Sequence, residues 1–250
     1  MKPYADHFSR LASGYAQCRP RYPDELFTYL AGLVTRHELA WDCAAGNGQA
    51  TLPLASRFRR VVATDASGAM LDQAARHPKI EYHVAPAEVS GLEDGTVDLV
   101  TVAQALHWLN LEPFYAEVQR VLAPGGVIAV WTYGTQRLDD SALSKPLDHF
   151  YDEVVGPYWP VERRHVESGY RTLRFPFAEL EPPAFVMQAQ WTLPQLLGYL
   201  RTWSATQCFR ETVGHDPVNP LEQELARYWG DPETVRRIQW PLSLRVGRPH

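Results

Sequence analysis

The 250-residue sequence predicts an α/β domain built on a parallel sheet with helices on both faces. Short apolar runs alternate with helix-length segments between residues 39 and 133. A glycine loop, Ala44-Ala45-Gly46-Asn47-Gly48, stands between the first such run and a helix. The second run ends in an acid, Asp65. Parallel neighbours cannot be joined by tight turns, so the intervening helices must cross over the sheet and cover it.

Residues 4–16 place Tyr4, Phe8, Leu11 and Tyr15 on one helical face. The stretch "CRPRYP" is extended, because proline disfavours helix in the residue before it. Pro23-Asp24-Glu25 opens a second helix, with acids in its first turn and Leu26, Leu30 and Leu33 as its buried stripe. A strand in "LAWDCA" leads into the glycine loop and a helix from Gly48 to Phe58, whose end carries the basic run Arg57-Phe58-Arg59-Arg60. "RVVATD" is a buried strand, and the next helix turns Met70, Leu71 and Ala74 inward. "KIEYHV" and "TVDLVTVA" are strands, the latter followed by "QALHWL". The helix "LEPFYAEVQRVL" stops at Pro124-Gly125-Gly126, ahead of the strand "VIAVWTY".

Residues 134–184 are rich in proline and aromatics, hold one helix from Ser141 to Val155, and read as an inserted cap. A strand "AFVMQAQW" and a helix follow, with Thr192 as its N-cap and Pro194 in its first turn. A further helix starts at "NPLEQE", where Asn219 and Glu222 have capping-box spacing, and "RRIQWPLSLRV" is the last strand.

A net charge of -5 gives no global attraction to nucleic acid or anionic membrane. The 3 cysteines, Cys18, Cys43 and Cys208, are far apart and form no ligand spacing with histidine, so neither a disulfide framework nor a metal site is expected. The stretch "VLAPGGVIAVW" is too short and too broken to span a bilayer, and "MKPYADHFSR" lacks an apolar signal core. A soluble, cytoplasmic protein is the expectation, with no membrane partner and the oligomeric state open.

A phosphate-cradling loop needs a lysine that does not follow Gly48. The dinucleotide fingerprint fails in both registers, with Thr51 or Gln49 in the place of its third small residue. What fits is an acid followed by a small-x-Gly-x-Gly turn: Asp42, Ala44, Gly46 and Gly48. Asp65, nineteen residues after Gly46, can accept hydrogen bonds from both hydroxyls of a ribose. Asp42 would sit near a positive group or organise the loop's N–H donors. Either role suits a ligand with an amino acid moiety better than a pyrophosphate. Ala44 puts a methyl where the backbone approaches the ligand, which is tolerable if its φ stays below zero.

The series "WDCAAGNGQ", "VVATDAS", "HVAPAE", "VDLVTVAQALHWL" and "RVLAPGGVIAVW" resembles the class I S-adenosylmethionine (SAM)-dependent methyltransferases. "FSRLASGYAQCRPRYP" and "LPQLLGYLRTWSA" are similar to a small-molecule branch that includes trans-aconitate methyltransferase-like proteins. The resemblance covers nearly the whole chain and is weakest over 134–184, where acceptor choice would be made. Family members usually have glycine at the position of Ala44.

This resemblance implies a Rossmann-like class I methyltransferase fold. Its mostly parallel seven-stranded sheet would carry helices on both faces, an N-terminal helical lid and a cap inserted after the fifth strand. Residues 1–250 would form a single domain: lid 1–38, SAM-binding core 39–133, cap 134–184 and C-terminal sheet 185–250. Ala44, Gly46 and Gly48 would wrap the methionine part of SAM. Asp65 would bind the ribose, Ala66 and Met70 would flank the adenine, and Ala87 and Glu88 would meet its edge. Gln104 would stand at the topological switch point. Tyr15 and Arg19 would close the lid, with Arg19 facing the methionine carboxylate.

The SAM sulfonium already activates its methyl group, so transfer needs mainly alignment and a dry site. A base is required only if the acceptor arrives protonated; His107 is the candidate, its alternative being a hydrogen bond to its own loop. Trp108, Trp131, Tyr133, Tyr199 and Trp203 are candidate acceptor-pocket residues, with ordinary packing as the alternative for each. Such a set favours a hydrophobic or planar small acceptor. A carboxylate acceptor, suggested by the named relatives, would want an arginine from among Arg171, Arg174, Arg201 and Arg210.

The expected activity is SAM-dependent methyl transfer to a small-molecule acceptor (a carboxylate or other O, N or S nucleophile), giving S-adenosylhomocysteine without a metal. The alternatives are a nucleic-acid methyltransferase or a non-catalytic SAM-binding protein. The first usually shows a D/N/S-P-P-Y/F-like motif after the fourth strand, where this chain reads "AQALHW".

Overall fold

In the computed structural model, which describes residues 19–250, five parallel strands alternate with helices as expected. Helix α1 (Asp24–Gly32) precedes β1 (Leu39–Cys43), followed by α2 (Thr51–Ala55), β2 (Arg60–Asp65), α3 (Gly68–Leu71) and β3 (Ile80–Val84). Then come β4 (Val97–Ala103), α4 (Leu111–Val121) and β5 (Leu122–Tyr133). The order across the sheet is β3-β2-β1-β4-β5. β1 is buried at every position, as a strand covered on both faces must be. Tyr15 and the helix expected over 4–16 lie outside the described residues.

Beyond β5 the chain adds β6 (Arg137–Leu138), α5 (Ser141–His149), α6 (Arg163–Glu167), β7 (Ala178–Leu180) and β8 (Val186–Trp191). Three helices, α7 (Leu193–Arg201), α8 (Ser204–Val213) and α9 (Val218–Trp229), lead to the long β9 (Arg236–Arg248). β9 lies antiparallel to β5, from Ile128 opposite Gly247 to Tyr133 opposite Leu242. β8 and β7 share its other edge, and β6 pairs at Gln239 and Ile238. The seven expected strands are present, but among the described residues the sheet has nine strands, β6 and β7 being the additions. β6 and β7, at 2 and 3 residues, are too short to show a period in the sequence.

Several local expectations change. α2 covers only Thr51–Ala55: residues 48–50 before it, beginning at left-handed Gly48 (φ +83°), and 56–57 after it are turns. In α1, Leu26, Phe27, Leu30 and Ala31 form the buried stripe, while Leu33 is a half-buried cap residue. α9 begins before Asn219, and Asp216 Oδ1 accepts from Val218 N at 3.0 Å. Asn219 and Glu222 accept instead from Arg201, at 3.1 and 3.3 Å, so they form no capping box. At α7, Gln195 does accept from Thr192 N at 2.9 Å.

One face of the sheet packs α1 and α2 through Leu26, Phe27, Leu30 and Leu54, with Phe58 just beyond α2, against Val61, Leu99 and Trp131. The other packs α4 through Phe114, Val118 and Val121 against Trp41, Val100 and Ile128. A third cluster joins Tyr133 to Phe150, Trp203, Trp229 and Trp240. Trp131 is fully buried, edge-on to Tyr22 at 5.5 Å and Phe27 at 6.2 Å. Among the described residues, no helix is long and apolar enough to cross a membrane.

Candidate cofactor and acceptor site

The strand order runs outward from β1 in one direction through β2 and in the other through β4, and ligands of open α/β sheets lie where the order reverses. The chain leaves β1 through Ala44, whose φ is +54°, followed by Gly46 at +56° and Gly48 at +83°. Ala44 therefore does not keep φ below zero. A Cβ in this region costs roughly 1–2 kcal/mol, part of which glycine would return as freedom in the unfolded chain. Ala44→Gly is expected to raise stability by about 1 kcal/mol in urea unfolding. A loss of stability would mean that the Ala44 methyl makes contacts outweighing the strain. The described non-glycine residues with positive φ are Ala44, Gln104 (+56°) and Tyr170 (+63°).

Asp42, fully buried beneath the loop, accepts from Thr51 Oγ1 at 2.5 Å and Thr101 Oγ1 at 2.8 Å. These hydroxyls replace the positive group or loop N–H donors expected for it. Burial raises its carboxyl to about 6, against the two hydroxyl bonds that lower it. The folded protein then holds a proton that the unfolded chain releases near 3.8. This contribution is fully present below pH 4 and is lost as pH rises through 6. Asp42→Asn, which cannot ionise, is expected to flatten the stability profile between pH 4 and 6 by about 2–3 kcal/mol relative to wild type. Parallel urea titrations across that window, giving the same slope for both proteins, would contradict it.

Asp65 closes β2 and reaches back to the loop. Its Oδ2 accepts from Gly46 N and its Oδ1 from Ser67 N, both at 2.8 Å. Burial raises its carboxyl, opposed by these two N–H donors. Each carboxylate oxygen can accept two bonds, so one lone pair on each remains for a ligand.

Over the loop and Asp65 lies a cavity of about 790 Å³. Of the residues named from sequence for the cofactor, Arg19, Ala44, Gly46, Asp65, Ala66, Met70, Ala87, Glu88 and Gln104 line it. Gly48 does not: a Cβ there would meet Tyr82 Oη at 3.1 Å and Ala74 Cβ at 3.4 Å, so this glycine serves loop packing. The sequence reading missed Tyr22, Asn47, Ser67 and Asn110. Ser67 had a signal, since its side chain caps α3 by accepting from Met70 N at 3.4 Å.

A second cavity of about 90 Å³ adjoins the first, sharing Arg19, Gln104, Trp108 and Tyr133 with it. His107, Trp159, Arg163, Tyr199 and Trp203 complete much of its wall. Arg19 donates to Tyr133 Oη at 3.3 Å and lies over the Tyr199 ring at 5.3 Å. Arg163 stacks 4.4 Å from the Trp159 ring centre and donates to Tyr151 Oη at 3.0 Å. Gln104 is held against β5: its Nε2 donates to Tyr133 O at 3.0 Å, and Thr132 Oγ1 donates to its Oε1.

A methyltransferase-domain family profile matches residues 41–130, the segment holding the loop, Asp65 and Gln104. Uncharacterized methyltransferase C25B8.09 of Schizosaccharomyces pombe is 33% identical, over 90% of this chain and 86% of its own. The probable S-adenosylmethionine-dependent methyltransferase CRG1 of Saccharomyces cerevisiae is 34% identical, over 76% and 77%. A solved structure from Anaeromyxobacter dehalogenans, described as a candidate type II methyltransferase, matches with a TM-score of 0.87 and 46% identity, covering 93% of this chain and 99% of that one. The chain belongs to the class I SAM-dependent methyltransferases.

Against this family background, the acceptor-side expectations divide. Trp108, Tyr133, Tyr199 and Trp203 meet at the second cavity of the methyltransferase, but Trp131 is absent from it. Trp131 alternates away with the strand and packs under α1. The four arginines named from sequence are also absent from that wall. Arg171, Arg174 and Arg210 are exposed, and Arg201 pairs with Asp216 at 2.9 Å. His107 lines the cavity, with Nδ1 2.8 Å from Tyr170 Oη. Burial first, then the charges of Arg163 and His165, lower its pKa to about 3, which opposes the base role expected of it.

Proposed function

We propose that the larger cavity holds SAM and the smaller admits one end of a small-molecule methyl acceptor. The carrying observation is Asp65: two of its acceptor positions are filled by Gly46 and Ser67, and two are left for a ribose diol. The chemistry SAM supplies when bound is an electrophilic methyl group on a sulfonium.

The chain's own residues bind and orient. Ala44 and Gly46 lie along the methionine part, and Ala66 and Met70 flank the adenine, with Ala87 and Glu88 at its edge. Arg19, common to both cavities, pairs with the methionine carboxylate. Trp108, Tyr133, Tyr199 and Trp203 exclude water around the acceptor. At a water's share of roughly 30 Å³, the second cavity takes only a compact group. That size and the net charge of -5 favour a small molecule over nucleic acid. The likeness of the first and last segments to trans-aconitate methyltransferase-like proteins supports an acceptor with a carboxylate.

The test is incubation with methyl-labelled SAM and a panel of small carboxylic acids, phenols, thiols, amines and oligonucleotides. Label in a small acid or phenol is the expected result. Label in oligonucleotides alone would overturn the small-molecule reading. S-adenosylhomocysteine binding without any transfer would favour a non-catalytic SAM-binding protein.

A further inference from the structure

Arg163, the first residue of α6, stands half-buried in the wall of the smaller cavity. Two contacts fix its guanidinium. It lies over the Trp159 ring, 4.4 Å from the ring centre, and its Nε donates to Tyr151 Oη at 3.0 Å. Tyr151 is held in turn by ring contacts with Trp159 at 5.4 Å and Trp203 at 5.7 Å. A planar cation that is stacked and pinned at one edge loses little freedom when its other edge is engaged. That other edge is unused. Among the described residues, no carboxylate forms an ion pair with Arg163, and neither Nη atom has a hydrogen-bond acceptor. Glu167, four residues on and so within reach across one helical turn, accepts from the Tyr151 hydroxyl at 2.7 Å instead. Arg201 and Arg245, also half-buried, each pair with a carboxylate, at 2.9 and 2.6 Å.

The place of this arginine separates it from Arg19. Arg19 lines both cavities, whereas Arg163 lines the smaller and not the larger. Its charge reaches that cavity: His107 is lowered by burial first and by Arg163 next, and burial raises Tyr199 against the charges of Arg19 and Arg163. Among the described residues no carboxylate lines the wall. Its oxygens are neutral, and several are engaged. Tyr133 Oη and Thr202 O accept from Arg19 at 3.3 and 3.5 Å, and Gln104 Oε1 accepts from Thr132 Oγ1. The aromatic rings Trp159 and Tyr199 each already carry a guanidinium, at 4.4 and 5.3 Å. Two permanent positive charges with no fixed negative charge beside them attract an anion and repel a cation.

We infer that Arg163 is the specificity-determining residue of the acceptor site and holds an oxyanion, a carboxylate or phosphate, carried by the acceptor. The inference deepens the proposed methyl transfer and rests on it for the identity of what the smaller cavity holds. An oxyanion presents two acceptor oxygens to the two Nη atoms, where an amide presents one oxygen and a donor. At about 90 Å³ the cavity admits such a compact group. The larger cavity keeps Arg19 for the methionine carboxylate, so the two anions of the complex have one arginine each.

The test is NMR of the full chain labelled with ¹⁵N-arginine and ¹⁵N-tryptophan and saturated with S-adenosylhomocysteine. The Nε–H of Arg163 and the indole N–H of Trp159 are followed during titration with propionate, inorganic phosphate and propionamide at constant ionic strength. Arg163→Lys and Trp159→Phe assign the two signals. Saturable movement with either anion, and none with propionamide, is the expected result. Arg163→Gln is expected to weaken anion binding, read at Trp159, by about tenfold or more, the loss of one charge-assisted hydrogen bond. Arg164→Gln, at the exposed neighbour on α6, is expected to leave it unchanged. No saturable movement with either anion, equal movement with propionamide, or unchanged anion binding in Arg163→Gln would each overturn the inference. So would an Arg163 signal that moves on adding S-adenosylhomocysteine and then ignores both anions, which would give this arginine to the cofactor carboxylate. If Arg163→Gln does not fold, the wild-type contrast between the anions and propionamide decides alone. Failure of S-adenosylhomocysteine to bind would count against the methyl-transfer reading, and anion binding at Arg163 would still be read from the same sample.

Discussion

Asp65→Ala is expected to weaken S-adenosylhomocysteine binding by about 100-fold or more in calorimetric titration. Two hydroxyl bonds to a carboxylate are worth about 1.5–3 kcal/mol each, and about 1.4 kcal/mol corresponds to a factor of ten. The same substitution releases Gly46 N and Ser67 N, so the loop loses its tie to β2 and the effect exceeds that of the ribose bonds alone. Asp65→Asn should fall between wild type and alanine. Its amide keeps one acceptor oxygen but turns an NH₂ toward one of the two backbone donors. Circular dichroism separates loss of binding from loss of fold. Binding within threefold of wild type for folded Asp65→Ala would remove the ribose from this end of the cavity.

The largest effect on stability is expected at Trp131. This indole fills the space between β5 and α1, edge-on to Tyr22 and Phe27. Truncating a buried tryptophan to alanine costs about 3–5 kcal/mol. Trp131→Ala should therefore show a loss of about 4 kcal/mol in urea unfolding. Trp131→Phe should lose far less, because the Trp131 indole N–H makes no hydrogen bond among the described residues. The folded fraction of either variant should bind S-adenosylhomocysteine as wild type does. An alanine variant of near-normal stability but altered acceptor KM would return Trp131 to the acceptor pocket.

The contrast between these two residues shows what the sequence could carry. Asp65 was legible as a position: the last residue of a short apolar strand, a fixed distance beyond a glycine loop. Ala44 and Gly46 came from the loop motif, and Ala66, Met70, Ala87, Glu88 and Gln104 from the family resemblance; all of them line the cavity over the loop. Trp131 and Tyr133 could not be separated by residue type, only by β5's register and by what covers each face. Arg163 stayed hidden because it lies in the cap segment, where short helices and turns leave no period to follow. The four arginines named in its place were chosen by charge alone. Ala44 and Asp42 failed on conformation and partners. The left-handed turn at Ala44 and the two hydroxyls around Asp42 depend on how β1, α2 and β4 meet.

His107 lies between these cases. Its place after β4 was readable, but the contact of its Nδ1 with Tyr170 Oη, 63 residues later in the chain, was not. No local pattern links them.

The central claim is that the loop after β1 serves a nucleoside joined to methionine and not to phosphates. Calorimetric titration of the wild-type protein with SAM, S-adenosylhomocysteine and NADH tests it most directly. Micromolar binding of the first two, with no heat from NADH, is the predicted result. Binding of NADH alone would contradict the account.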